Sequence, residues 1–194
     1  MKFTYSCFVA LLATVAFTSC SSDDDAVEES ISAYAGKYQI VSFESDIAVD
    51  LNKDNVASYE LVDEINSFNF SELEVRPYGD IDNKAKLLCF GLPKMYMTFE
   101  YPSEPEGYAQ FSSYGFVTMY EFDVATNTFL MENHSYTEQA YIDNVESNRE
   151  VTFTSDLVVV DATHLQTSIA KEYYDFITQE WVMLHINVLF EKQF

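Results

Sequence analysis

The chain has 194 residues, 32 of them acidic against 10 basic, for a formal charge of −22 at neutral pH. So acidic a surface repels phosphate backbones and anionic lipid headgroups and offers no basic patch to offset this, which excludes nucleic acid as a partner. The length suits one domain with its own core, and 48% hydrophobic residues supply the material for it.

Residues 1–19 have the layout of a secretory signal: Lys2 at the start, an apolar run over 7–17, and small residues before Cys20. The run is too short to span a bilayer. The position of the cysteine resembles a bacterial lipoprotein signal, with Phe17 standing where an aliphatic residue is usual. That resemblance implies that Cys20 is lipidated, becomes the new N-terminus and attaches the chain to a membrane. An ordinary cleaved signal with an incidental cysteine is the alternative. Without Lys2 the chain keeps 32 acidic and 9 basic residues, a charge of −23.

Residues 20–35 are polar and acidic, with no aromatic before Tyr34, and read as a flexible tether that cannot bury enough surface to order itself. Ser21 followed by Asp23, Asp24 and Asp25 resembles the acidic export tag of Bacteroidetes-type surface lipoproteins. It implies an outer-membrane location, on the cell surface; an acidic tether without export meaning is the other reading. Of the three cysteines, Cys89 alone is left after the signal and the lipid site, so no intrachain disulfide forms.

From residue 36 to 194 the apolar residues mostly alternate, with breaks every eight to twelve residues. In "WVMLHINVLFEK", Val182, Leu184, Ile186, Val188 and Phe190 share one face, and Trp181, Met183, His185, Asn187 and Leu189 the other. This is a strand of period two, paired through "ITQE" with "THLQTSIAKEYYDF". Similar runs are "KYQIVSFES", "FNFSELEVR", "KAKLLCFG", "KMYMTFEYP", "SYGFVTMYEFD", "NTFLMEN" and "REVTFTSDLVVV". The spacing predicts an all-β antiparallel meander, and closing it into a barrel removes the exposed edges most simply. One short helix is predicted after the first strand, capped by Ser58, with Glu60 in its first turn and Tyr59, Val62 and Ile65 at helical spacing.

Residues 49–64 read "VDLNKDNVASYELVDE". Asp50, Asn52, Asp54, the Val56 carbonyl and Ser58 match positions 1, 3, 5, 7 and 9 of an EF-hand-type calcium loop. Position 12 is Leu61, which has no side-chain oxygen. The replacement ligand would come from Glu60, Asp63 or Glu64, and Glu64 lies about one turn beyond Leu61. Asn55 takes the place of the usual turn glycine and tolerates the left-handed conformation better than most residues. A polar loop whose Asp and Asn side chains cap their own backbone fits the same residues. Calcium, where bound, would pin the loop against a barrel rim rather than catalyse anything.

"GKYQIVSFES", then this segment, then seven or so strands ending in "WVMLHINVLFEK", resemble the lipocalin-like lipoproteins of Bacteroidetes-type bacteria. Asn55 stands where members usually carry Gly, and the cysteine that usually follows the acidic segment is absent. The resemblance implies a small antiparallel barrel or half-barrel and leaves function open.

No enzyme is expected. His134, His164 and His185 lie far apart without HxH or HExxH spacing, no GxSxG elbow exists, and the five glycines form no phosphate-cradling loop. Phe and Tyr together number 30. Met95, Met97, Phe99, Tyr101, Phe116 and Tyr120 in the middle of the chain are candidates to line a cavity for a small apolar ligand; they equally fit an ordinary barrel core. Two functions follow: binding of that ligand inside the barrel, or an interaction module that meets a surface-protein partner while its interior is simply packed.

Overall fold

The computed structural model describes residues 31–66, 68–77, 86–139, 141–143 and 145–193. The signal, Cys20 and the first part of the tether lie outside the described residues. So does most of the expected hairpin link "RPYGDIDN".

The chain enters through a helical turn over 31–34 and runs into β1 (Gly36–Val49). Along β1 the buried parity is Tyr38 and Ile40, then Phe43 and Ser45; the register with the last strand shifts between Ile40 and Ser42. This bulge turns Val41 outward and re-aims the second half of the strand into the core. The polar loop 50–57 leads to β2 (Ser58–Glu60), which pairs with β1. The sequence assigned Ser58 to a helix cap; it sits instead in this short strand, because Glu60 is tied back to β1. The Glu60 carboxylate accepts from Phe43 N (2.8 Å) and Ser42 Oγ (2.6 Å). Helical geometry follows as one turn, with Ile65 N donating to Leu61 O (3.1 Å), and a 3-10 turn Phe68–Phe70.

Then come β3 (Glu72–Arg76), β4 (Leu87–Thr98) and β5 (Tyr108–Asp123). "KAKLLCFG" and "KMYMTFEYP" form one strand, since Pro93 lies beyond the β3 ladder, which ends at Gly91 opposite Glu72. β6 (Thr128–Met131) and β7 (Ser135–Glu138) are two halves of an interrupted strand, as are β10 (Arg149–Phe153) and β11 (Leu157–Val159). Asp156 stitches both breaks, accepting from Met131 N (2.8 Å) and facing His134 Nε2 (2.9 Å). Between these halves lie β8 (Tyr141–Ile142) and β9 (Val145–Glu146), which the alternation did not reveal. β12 (His164–Asp175) and β13 (Glu180–Lys192) form the long final hairpin.

The order β1, β3, β4, β5, β6, β11, β12, β13 and back to β1 closes an eight-stranded antiparallel meander barrel, as predicted. β13 behaves as its pattern implied: Leu184, Ile186, Val188 and Phe190 are buried, and Met183, His185 and Asn187 exposed. Residues 31–35, read as tether, instead plug one pole. Ile31 is buried, the Tyr34 ring lies 5.8 Å from Phe122 and 6.0 Å from Phe129, and Tyr38 Oη donates to Tyr34 O (2.7 Å). An aromatic and an isoleucine at the end of an acidic run gain more by covering the open barrel end than by remaining in water.

Candidate functional site

The six residues expected to line a cavity divide between two environments. Met95, Met97, Phe116 and Tyr120 are 2%, 0%, 8% and 5% exposed, within the core. Phe99 and Tyr101 are 37% and 53% exposed. The core around the first group is filled with rings: Phe90 lies 4.7 Å from Phe153, 6.1 Å from Phe190 and 6.2 Å from Phe116, and Phe116 stacks on Tyr136 at 4.9 Å. Tyr120 belongs to the plugged pole, against Phe129 at 5.1 Å. Tyr120 also borders a depression of about 690 Å³ on the outer wall, with outward-facing Met119, Glu121, Leu130 and Glu132.

The opposite pole is built by the β4–β5 hairpin. β3 partners β4 only up to Gly91, and β6 partners β5 only from Tyr120 onward, so the hairpin continues past its neighbours as a two-stranded arm. The arm folds onto the barrel end: Tyr173 Oη donates to Pro93 O (2.6 Å), Tyr174 N donates to Met95 Sδ (3.3 Å), and Phe99 meets Tyr174 edge-on at 5.6 Å. β8 lies along the free edge of β4, with Met97 opposite Ile142. The arm tip, residues 99–107, thereby stands above the pole with Phe99 and Tyr101 outward.

The loop that matched a calcium site lies beside this tip. Asp50 is buried, and its carboxylate accepts from Lys53 N (2.7 Å), Asp54 N (3.2 Å) and Asn55 N (2.9 Å). Asn52 Oδ1 accepts from Asp54 N (2.9 Å), and Asp54 Oδ1 from Val56 N (2.8 Å). Glu64 is indeed drawn back to the loop, but its oxygen accepts from Leu51 N (3.0 Å) and Asn52 N (3.3 Å). Burial, opposed by these two bonds, holds the Glu64 carboxyl above the usual range. Val56 is exposed, and Ser58 Oγ donates to Glu60 O (2.9 Å). Asn55 has the left-handed backbone expected of it (φ 65°), and so does Lys53 (φ 66°). Among the described residues, no group of three His, Cys, Asp or Glu side chains is placed to hold a metal ion. Chemically this arrangement is a self-capped loop.

Four hydrogen bonds fix that loop to the pole and the arm. Asp175 accepts from Asp50 N (2.9 Å), and Phe176 N donates to Asp50 O (2.9 Å). Burial would raise the Asp175 carboxyl, but the donors Thr178, Asp50 and Ile177 outweigh it and hold it below the usual value. From the other side Lys53 Nζ reaches the arm, bonding Glu104 (2.6 Å) and the Gly107 carbonyl (3.3 Å). Between loop, arm and the β12–β13 turn lies a cavity of about 250 Å³, lined by Phe111, Phe176, Tyr108, Asn52, Asn66 and Lys53, among others.

Deeper in the barrel is a feature absent from the sequence reading. Lys171 points inward and donates to Glu138, with Tyr173 and Tyr136 beside the pair; the Tyr136 hydroxyl is buried without a hydrogen-bond partner among the described residues. The signal was present: in "HLQTSIAKEYYD" the inward parity of Leu165, Thr167, Ile169 and Tyr173 also selects Lys171.

Comparison with known proteins adds no family at this point: the chain matches no family model, no curated protein and no solved structure.

Proposed function

We propose that the chain is a non-catalytic, lipid-anchored module of the outer-membrane surface, held through Cys20, whose lipocalin-like barrel is a packed scaffold. Its distal arm tip docks a basic segment of a partner protein. The observation that carries this reading is the polarity of the molecule. Residues 31–35 enter at the plugged pole and the arm tip lies at the other, at the two ends of β1, whose 14 residues cover roughly 45 Å of strand and roughly 35 Å along the axis at the usual barrel tilt. With the tether at the near pole, the tip faces away from the membrane and is what a partner meets first.

The chemistry of the tip suits docking. Phe99, Tyr101 and Tyr108 are 37%, 53% and 42% exposed, and Tyr101 and Tyr108 contact each other at 6.0 Å. Aromatic side chains supply large contact area at low entropic cost and dominate binding energies. Pro102 and Pro105 restrict the loop before any partner arrives, reducing the ordering cost. Of the three acidic residues in this loop, Glu104 and Glu106 share Lys53 (2.6 and 3.7 Å) and Glu100 adds to their charge, so the tip stays net negative: a cationic segment is attracted and an anionic one repelled. The packing of Met95, Met97 and Phe116 into the ring-filled interior favours this reading over an apolar ligand held in the lumen.

Position-resolved photocrosslinking in intact cells tests the proposal. A photoreactive residue at Tyr101 should give a discrete protein adduct that weakens in high salt, while one at Val158, on the barrel wall, should give none. Equal adducts at both positions, or none at Tyr101, would reject the docking role.

A further inference from the structure

The cavity beneath the arm tip has a lining that selects a ligand class. We infer that it is a binding site for a neutral, polyhydroxylated ring the size of one monosaccharide. Three features of the cavity lead there.

The first is size. About 250 Å³ corresponds to roughly eight waters at the liquid's share of about 30 Å³ each. A drug-sized or lipid ligand needs more, since such pockets usually begin at about 300 Å³.

The second is the mixed character of the lining. Phe111 and Phe176 give aromatic surface, and the Phe111 ring lies 6.4 Å from that of Tyr173. Asn52, Asn66, the Lys53–Glu104 pair and the Gly107 backbone give donors and acceptors. A purely apolar ligand would strip water from those polar groups without replacing it, at a cost of about 1–3 kcal/mol for each one left unmet. A ring with hydroxyls at its edge and C–H groups on its face meets both kinds of lining group.

The third is charge. Lys53 is already neutralised by Glu104 at 2.6 Å, with Glu106 at 3.7 Å. An anionic ligand would have to compete with those carboxylates in the field of a chain of charge −22. Lys53 Nζ already holds the cation position over Phe176 at 5.8 Å, so a quaternary ammonium would have to displace it to sit on that ring. A neutral ligand meets neither cost. Binding here requires neither the lipid anchor nor a protein partner.

Saturation-transfer NMR on the full chain in detergent tests the inference, with galactose, glucose, mannose and N-acetylglucosamine as neutral probes and glucuronate and choline as charged controls. Transfer to ring C–H protons of at least one neutral sugar is expected, with neither control competing. Asn66→Ala, at an exposed position, should weaken that binding about tenfold, the loss of roughly one hydrogen bond to a polar ligand. Lys53→Met should weaken it similarly. No transfer from any neutral sugar, preferential binding of choline or glucuronate, or transfer unchanged in both variants would each overturn the assignment. Unaltered thermal unfolding of Asn66→Ala separates lost binding from lost fold.

Discussion

Lys171 and Glu138 face each other inside the barrel, the ammonium donating to the carboxylate with the side chains 1% and 3% exposed. Burial pulls the Lys171 pKa down, the Glu138 charge opposes that, and Lys94 adds to it. Removing one member leaves the other charged and unpaired among rings. Lys171→Met alone should therefore lower unfolding free energy by about 3–5 kcal/mol. The double variant Lys171→Met, Glu138→Leu should recover to within about 1 kcal/mol of the parent, or exceed it, because the desolvation cost of both ions disappears together. Urea unfolding of the single and double variants decides; equal losses in both would show that the pair is not electrostatically coupled.

The tyrosines near this pair and at the plugged pole predict the alkaline limit of stability. The Tyr38 phenol is pushed up to about 12 by burial and by Tyr34, and burial also raises Tyr136 and Tyr173, with Glu138 adding to both. The folded state keeps these protons while an unfolded tyrosine releases its own near pH 10. Their contribution is thus complete below pH 10 and is lost as pH rises toward and beyond 12. The urea midpoint should be lower at about pH 11 than at about pH 9, and Tyr38→Phe should narrow that gap. Lys171 acts in the opposite sense only below the usual lysine value of about 10.5, where the unfolded chain still holds its proton. A full tyrosinate absorbance near pH 10 in the folded protein would contradict the burial argument.

How much of this was legible in the sequence depends on what each signal encodes. Period-two alternation encodes which face is wet, so the β12–β13 hairpin and the closed barrel were readable from residues such as Leu184 and Ile186. It does not encode where a strand lacks a neighbour, so the arm beyond Gly91 and the position of β8 on the β4 edge were not. Ser58 illustrates a competition of signals: its capping chemistry predicts a helix start, and its Oγ does accept from Glu60 N (3.1 Å), but the Glu60 contacts to Ser42 and Phe43 hold the segment in a strand. The spacing of Asp50, Asn52 and Asp54 located a loop with dense Asp chemistry. Whether those oxygens turn toward an ion or toward backbone N–H groups is a matter of rotamer and fold, which spacing does not carry.

The Asp50 loop yields a test of that last point. Three backbone amides converge on the Asp50 carboxylate, and Asp175 holds the loop to the next turn. Asp50→Ala takes the buried carboxylate away from three part-buried amides and, as the loss of hydrogen bonds to a charged group, should cost about 2–3 kcal/mol. If the capping bonds alone shape the loop, the loss is the same in calcium and in chelator. A loss seen only with calcium present would assign the loop to the ion.

Gly107 ties the arm tip to the rest of the pole, and its substitution should separate docking from folding. Its φ of 97° lies where a side chain is strained, and an added Cβ would come within 2.7 Å of Phe99 Cε1 and 2.8 Å of Met97 Cε. Met97 is buried, whereas Phe99 is partly exposed and can swing outward. Gly107→Ala should therefore displace Phe99 and shift the Gly107 carbonyl from Lys53, costing about 1–3 kcal/mol by strain. The barrel, whose ladders do not pass through residue 107, should keep its β-sheet circular dichroism. Crosslinking from Tyr101 should fall at the same time. Unchanged crosslinking with a displaced tip would mean that Phe99 takes no part in the contact; a lost sheet signal would mean that the arm is needed for the barrel itself.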